Sequence, residues 1–325
     1  MTSQRRVLAS LAVVAASVLF GALGTIAWRT HVALERSKVS AQAENSFAVN
    51  IRPLEFIPDN RFDWFAAPAV FTGGGIFEGR LFLCGPAGLY VYGATGNLER
   101  IYRVGKDLPT APLVTIATGI LSDAHRPELL IATSGAGVLA FDGARFRQIA
   151  AVSAVQSGAL DSDANTVTAL LPLSSGQMLI GTAKRGLLVY DGQGIHYFHD
   201  AFRNTYITAL AGTEASLWIG TENKGLFHWH GGEAVQFGTA QGLPDPHVSS
   251  IALAGDTAFA ATPLGVAEIT QGRVQRPLAQ GIFAQAVFAN DKGLTVGSLQ
   301  QGIVDISLSH RIGLRSHIRA FSVMV

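Results

Sequence analysis

Charge is scarce in this chain. Only 14% of its residues are Asp, Glu, Lys or Arg, and they nearly cancel to a formal net charge of +1. No cluster of Lys and Arg is long enough to track a phosphate backbone, which excludes nucleic acid as a partner. Cysteine is scarcer still. Cys84 is the only one, so no intramolecular disulfide and no thiolate metal cluster can form. Its setting, LFLCG, reads as that of a small buried hydrophobe. Catalytic signatures are missing as well: there is no G-x-S-x-G elbow, no H-E-x-x-H, no phosphate-binding loop and no dinucleotide fingerprint. No catalytic residue, metal ligand or cofactor is therefore assigned. Gly73-Gly74-Gly75 is not followed by helix signals and reads as a turn or bulge. Intrinsic disorder is excluded by a hydrophobic content of 48%.

What the chain does have is glycine, 36 residues of it, set between short runs of Val, Ile, Leu and Thr. The stretch SLWIGTENKGLFHW, residues 216–229, shows the pattern: an apolar run, a small-residue step, a polar loop, a glycine and a second apolar run. Related segments occur at RLFLCGPAGLYVY, LLIATSGAGVLAFD, MLIGTAKRGLLVYD, AFAATPLGVAEI and LTVGSLQQGIVDI. Their second-strand glycines are Gly88, Gly137, Gly186, Gly225, Gly265 and Gly302, at spacings of 49, 49, 39, 40 and 37 residues. A period of this size marks propeller blades. Glycine before the second strand supplies the positive φ that a tight loop requires. The small pairs Gly181-Thr182, Gly220-Thr221, Ala261-Thr262 and Gly297-Ser298 let strands crowd where blades converge. Each unit adds an upstream strand, such as TVTALLPL or YITALAG, and a weaker fourth strand, such as IHYFHD. The fold class is all-β: a propeller of six four-stranded blades over residues 64–325. A seventh is allowed if strands from SFAVNIRPLEFI (46–57) and the C-terminal SHIRAFSVMV share a blade.

Before the propeller, Val7 to Trp28 carry no charge, enough apolar chain to span a bilayer as a helix. Residues 1–6 form a short tail, 7–28 a retained signal-anchor and 29–60 a polar stalk. Arg5 and Arg6 hold the tail in the cytoplasm against the opposite pull of Arg29, Arg36 and Lys38, and the short tail led by two arginines places the bulk of the chain outside it.

LWIGTENKGLFHW, MLIGTAKRGLLVYD and QGLPDPHVSSIAL resemble the two-component-regulator propeller repeat, over nearly all of residues 64–310. The resemblance implies a bacterial inner-membrane protein with its propeller in the periplasm, acting as a sensor-like domain. About fifteen residues follow position 310, so a kinase or output domain is not expected.

In such a fold the loops between second and third strands share one face with the connections between blades, around the central funnel. These loops carry Lys184, Arg185, Glu222, Asn223, Lys224, Gln300 and Gln301. The connections carry Asp161, Asp163, Asn165, Arg203, Asn204, Asp245 and His247. The mixture of charges and amides suits a polar small molecule, a carbohydrate or a loop of a partner protein. The leading expectation is a non-catalytic binding module. A lyase- or lactonase-like enzyme pairing His247 with Asp245, or an architectural subunit of an envelope complex, are the alternatives. His228 and His230 fall on one face of a strand but lack a third metal ligand. Trp218 and Trp229 read as packing between blades.

Overall fold

The computed structural model describes residues 21–35, 70–150, 166–275, 277–290, 293–307 and 318–321. Two compact units divide the chain, Met1–Phe65 and Ala66–Val325. In the first, residues 21–35 are helical, and Leu23, Ile26 and Trp28 are exposed on it. The hydroxyls of Thr25 and Thr30 donate back to the helix carbonyls of Ala22 and Ala27. Residues 7–20 of the expected membrane span lie outside the described residues. Among the described residues, no helix is long and apolar enough to cross a membrane.

The second unit is all-β, six four-stranded antiparallel sheets in a propeller arrangement. Blade 1 holds β1 (Gly73–Phe77), β2 (Arg80–Gly85), β3 (Gly88–Tyr92) and β4 (Leu98–Arg103). Blade 2 holds β5 (Leu113–Gly119), β6 (Glu128–Thr133), β7 (Val138–Phe141) and β8 (Phe146–Ala150). Blade 3 holds β9 (Val167–Pro172), β10 (Met178–Thr182), β11 (Leu187–Tyr190) and β12 (Ile195–Tyr197). Blade 4 holds β13 (Ile207–Gly212), β14 (Ser216–Thr221), β15 (Leu226–His230) and β16 (Glu233–Phe237). Blade 5 holds β17 (Ser250–Ala254), β18 (Thr257–Thr262), β19 (Gly265–Thr270) and β20 (Arg273–Val274). Blade 6 holds β21 (Ala284–Asn290), β22 (Gly293–Ser298), β23 (Gly302–Ser307) and β24 (Ile318–Phe321). The C-terminal segment thus completes the sixth blade, pairing with β23. Residues 46–57, the other candidate for a terminal strand, lie outside the described residues.

Blades pack face to face. The second strands are covered on both sides, so β6 (ELLIAT) and β10 (MLIGT) are buried at every position. Leu130 and Ile131 are neighbours on opposite faces of β6, and both are fully buried. Each such side chain contributes about 2 kcal/mol of burial. Ile131 joins the blade 1–2 core and Leu130 the blade 2–3 core. The outward faces at the two ends of the array stay open: Ile76 and Leu81 of blade 1 are exposed, as are Phe288 and Ile303 of blade 6.

First strands of neighbouring blades touch, from β1–β5 through β17–β21. Hydroxyls stitch this inner layer. Thr168 donates to the carbonyl of Ile207, Thr208 to that of Val248 and Ser249 to that of Ala284. The small steps in the second strands serve the same convergence. A Cβ at Gly220 would come within 2.9 Å of Val248 Cγ1. Gly73-Gly74-Gly75 was expected as a turn or bulge and is instead strand β1. Close packing explains the difference, since a Cβ at Gly73 would sit 3.0 Å from Thr115 Cα in the next blade. Cys84 is fully buried, and burial pushes its thiol pKa up, as the apolar setting implied.

At the other end of the blades, the β13–β14 turn holds its neighbour. Glu214 accepts hydrogen bonds from the backbone N–H of Ser175 at 2.7 Å and from Ser174 Oγ at 3.0 Å. Its own backbone N–H and that of Ser175, aided by the serine hydroxyls, lower its pKa to about 2. A depressed carboxylate pKa stabilises the fold above the unfolded value of about 4.3, and the contribution fades as pH falls through the folded value. Glu214→Gln is therefore expected to flatten the acid limb of the melting curve between about pH 4 and pH 2. Thermal melts of both proteins across that window check it; parallel acid limbs would refute it.

Candidate functional site

The loops between second and third strands are built on one repeated device. Thr133, Thr182, Thr221 and Thr262 end their strands fully buried. Each hydroxyl donates to the carbonyl of the glycine that opens the next strand: Gly137, Gly186, Gly225 and Gly265, at 2.7–2.8 Å. Each also accepts a backbone N–H from within the loop, as Lys224 N does to Thr221 Oγ1 at 3.0 Å. A buried hydroxyl needs such partners, and here it fixes the loop from inside. Gly186 and Gly225 have φ of +93° and +78°. A Cβ at either would also overlap a backbone carbonyl oxygen, that of Phe202 in the connection into blade 4 or that of Phe237 at the end of β16. Gly88 is the exception: its φ is not positive, and close approach of the Tyr102 carbonyl alone requires glycine there.

These loops meet the connections between blades at the same end of each blade. In blade 4, Glu222 N donates to Tyr206 O, and Gly225 N donates to Pro246 O. The Glu222-Asn223-Lys224 loop is then clamped by its own side chains. Glu222 Oε2 lies 3.0 Å from His247 Nδ1, in the connection leading to blade 5. Lys224 Nζ donates to Thr205 Oγ1 at 2.9 Å, in the connection leading into blade 4. Asn223 is left exposed at the tip. Tyr206 stands beside Glu222 and is 40% exposed. Partial burial, and then the charge of Glu222, raise its phenol pKa. Asn204, two residues earlier, takes a left-handed conformation at φ +53°. The result is a half-open polar surface with a phenol, a carboxylate, an imidazole and an amide.

The other residues expected to bind fall into several settings. Asp245 lies beside His247, but its Oδ1 accepts the backbone N–H of His247 at 2.8 Å. The imidazole turns to Glu222 instead, so the acid partner of His247 is not the one its sequence neighbourhood suggested. Lys184 is exposed in blade 3, whereas Arg185 beside it is 5% exposed, and so is not an open surface group. Gln300 and Gln301 are exposed in blade 6, their backbone N–H groups held by Ser298 Oγ. The backbone carbonyl of Arg185 accepts the N–H of Asn204 at 3.3 Å, in the connection into blade 4. Arg203 pairs with Asp200 and lies over the Tyr197 ring. Asp161, Asp163 and Asn165 lie outside the described residues.

Tyr206 and Thr133 were not singled out from the sequence, and Thr182, Thr221 and Thr262 were read there only as small residues of a crowded step. Their signals were nonetheless present: a tyrosine directly before an inner strand, and a threonine four residues, or three at Thr262, before each loop glycine. His228 and His230 do share a face, with ring centroids 5.0 Å apart. His228 stacks on Trp218 at 4.0 Å and meets Ser216 Oγ at 2.8 Å. Burial, then His230, lower its pKa. Trp218 and Trp229 pack into the cores toward blades 5 and 3. Among the described residues, no group of three metal-binding side chains occurs.

No protein-family model matches this sequence, and no curated protein matches it. Solved structures do. The extracellular domain of BT4673 from B. thetaiotaomicron, described as a one component system in one structure and as a hybrid two component system in another, aligns with TM-scores of 0.56 and 0.55. Identity is 18% and 19%, covering 74% of this chain and 33% of those. The extracellular domain of the hybrid two component system BT3049 from the same organism gives 0.56, at 16% identity and the same coverage. The computationally designed Ika8 protein gives 0.51 at 14% identity, covering 72% of this chain and 70% of that one. What they share with this chain is the fold. The chain spans about a third of the length of those B. thetaiotaomicron extracellular-domain chains, and the likeness to the two-component group is coarse.

Proposed function

We propose that this chain is a membrane-anchored, non-catalytic propeller that binds a polar ligand or a partner protein outside the cytoplasm, as a sensor-like module. The convergence of Tyr206, Glu222, Asn223 and His247 on one face of blades 4 and 5 carries this reading. There a loop clamped on both sides presents an exposed amide beside a half-exposed phenol. A preorganised loop loses little entropy on binding. The extracellular-domain neighbours support the sensor-like placement. The exposed apolar side chains of helix 21–35, and threonines that bond within it, support a bilayer anchor, where backbone and hydroxyl groups must be satisfied internally.

The test compares pull-downs from membrane extract with the wild-type chain and with a Tyr206→Ala/Glu222→Ala variant of matched stability. Loss of a specific wild-type partner or ligand in the variant, by about tenfold or more, is expected. Equal recovery from both proteins would move the binding face elsewhere.

A further inference from the structure

Blade 4 carries a second set of polar groups, at the end of β15 away from the Glu222-Asn223-Lys224 loop. His228 and His230 are two residues apart on that strand and share a face. Strand spacing alone would hold them about 7 Å apart. Their rings lean together instead, with centroids 5.0 Å apart. His228 is held in that direction from two sides. It stacks on Trp218, its cross-strand partner in β14, with ring planes only 6° apart. Its Nε2 meets the Ser216 hydroxyl at 2.8 Å, and Ser216 is the cross-strand partner of His230. This nitrogen therefore points into the row that His230 occupies.

The row continues on the other side of His230. Gly231 and Gly232, at φ +59° and +88°, form the two-residue turn between β15 and β16. The turn sets Glu233 directly opposite His230 and on the same face, where paired side chains stand about 5 Å apart at Cβ. Glu233 is exposed and makes no hydrogen bond or ion pair among the described residues. One change of rotamer brings its carboxylate beside the imidazoles. A reading along the strand passes over this residue, because the turn brings it into place.

We propose that His228, His230 and Glu233 bind a divalent transition-metal ion of the zinc type. Two imidazoles and one carboxylate are a ligand set that zinc takes, with a fourth position left for water or for a donor atom of a ligand. The ring separation fits. With each nitrogen about 2.0–2.1 Å from the ion, and ligand angles of about 90–110°, two imidazoles hold their centroids about 4.5–5 Å apart. The chain already sets that separation, so only the carboxylate has to move. His228 ligates through Nε2, and the Ser216 hydroxyl then lies beside the ion. This site is at the opposite end of blade 4 from the Glu222–His247 face and does not depend on it.

Calorimetric titration of the full chain, free of any affinity tag, with Zn²⁺ tests the assignment. One site with a Kd below about 100 μM is expected. His230→Ala and Glu233→Gln change exposed side chains and spare the core, and melting curves confirm that both variants fold. Each should weaken Zn²⁺ by about tenfold or more. His196→Ala removes the exposed His196–Asp191 pair of blade 3 and should leave the affinity unchanged. With Cu²⁺ in place of Zn²⁺, electron spin echo modulation should report two coordinated imidazoles in the wild type and one in His230→Ala. The proposal is overturned if Zn²⁺ gives no saturable heat up to about 1 mM. It is also overturned if either His230→Ala or Glu233→Gln binds as tightly as the wild type, or if His196→Ala abolishes binding.

Discussion

Replacing Gly186 by alanine is expected to destabilise the propeller by about 3 kcal/mol or more. Two costs combine. The left-handed conformation at φ +93° penalises any L side chain by about 1–2 kcal/mol. The new Cβ would also overlap the carbonyl oxygen of Phe202. That oxygen belongs to backbone and cannot rotate away, so the connection into blade 4 must shift. Gly231 is the control. It too has positive φ, +59°, but nothing lies within 4 Å of its added Cβ. Gly231→Ala should therefore cost only the conformational share, about 1 kcal/mol. Urea midpoints at unchanged m-value separate the two cases. Equal losses at the two positions would mean that close approach plays no part at Gly186.

The second large effect is expected at Thr221. Thr221→Val keeps the shape and removes the hydroxyl. The carbonyl of Gly225 then keeps only the backbone N–H of Thr221, at 3.1 Å, and the half-buried amide of Lys224 loses its acceptor. Losing the buried hydroxyl–carbonyl bond together with the acceptor of the Lys224 amide costs about 2 kcal/mol. Thr221→Ser keeps both bonds and loses one methyl, a loss of about 1 kcal/mol. Amide hydrogen exchange gives a local readout: the Lys224 amide should exchange much faster in Thr221→Val than in Thr221→Ser. A valine variant as stable as the wild type, with Lys224 still protected, would show that the hydroxyl does not hold the loop.

The repeat was legible because its causes are local. Positive φ at a tight loop selects glycine, and coverage on both faces selects an unbroken apolar strand, so Gly225 and LWIGT announce a blade wherever they recur. Residues whose roles depend on a neighbouring blade were not legible in the same way. Nothing near Arg185 in the chain shows that it is buried. Gly73 serves its contact with Thr115, 42 positions away in sequence, and was read as a turn because that contact is invisible in the local pattern. His247 stands two residues from Asp245, yet it pairs with Glu222, which a turn of the next connection brings alongside. The candidate face was thus legible as a set of loops; which side chains meet on it was decided by how adjacent blades register. Gln300 and Gln301 sit on the equivalent loop of blade 6, away from the cluster, for the same reason.

Site-specific photo-crosslinking in the native membrane tests the binding face most directly. A photoreactive amino acid at Asn223, the exposed tip of the clamped loop, should give a discrete crosslinked product. The product should disappear when Tyr206 and Glu222 are both replaced by alanine. The same probe at Gly231, in the β15–β16 turn at the far end of that blade, should give none. A product from Gly231 with none from Asn223 would contradict the assignment of the Glu222–His247 face as the surface through which this propeller binds.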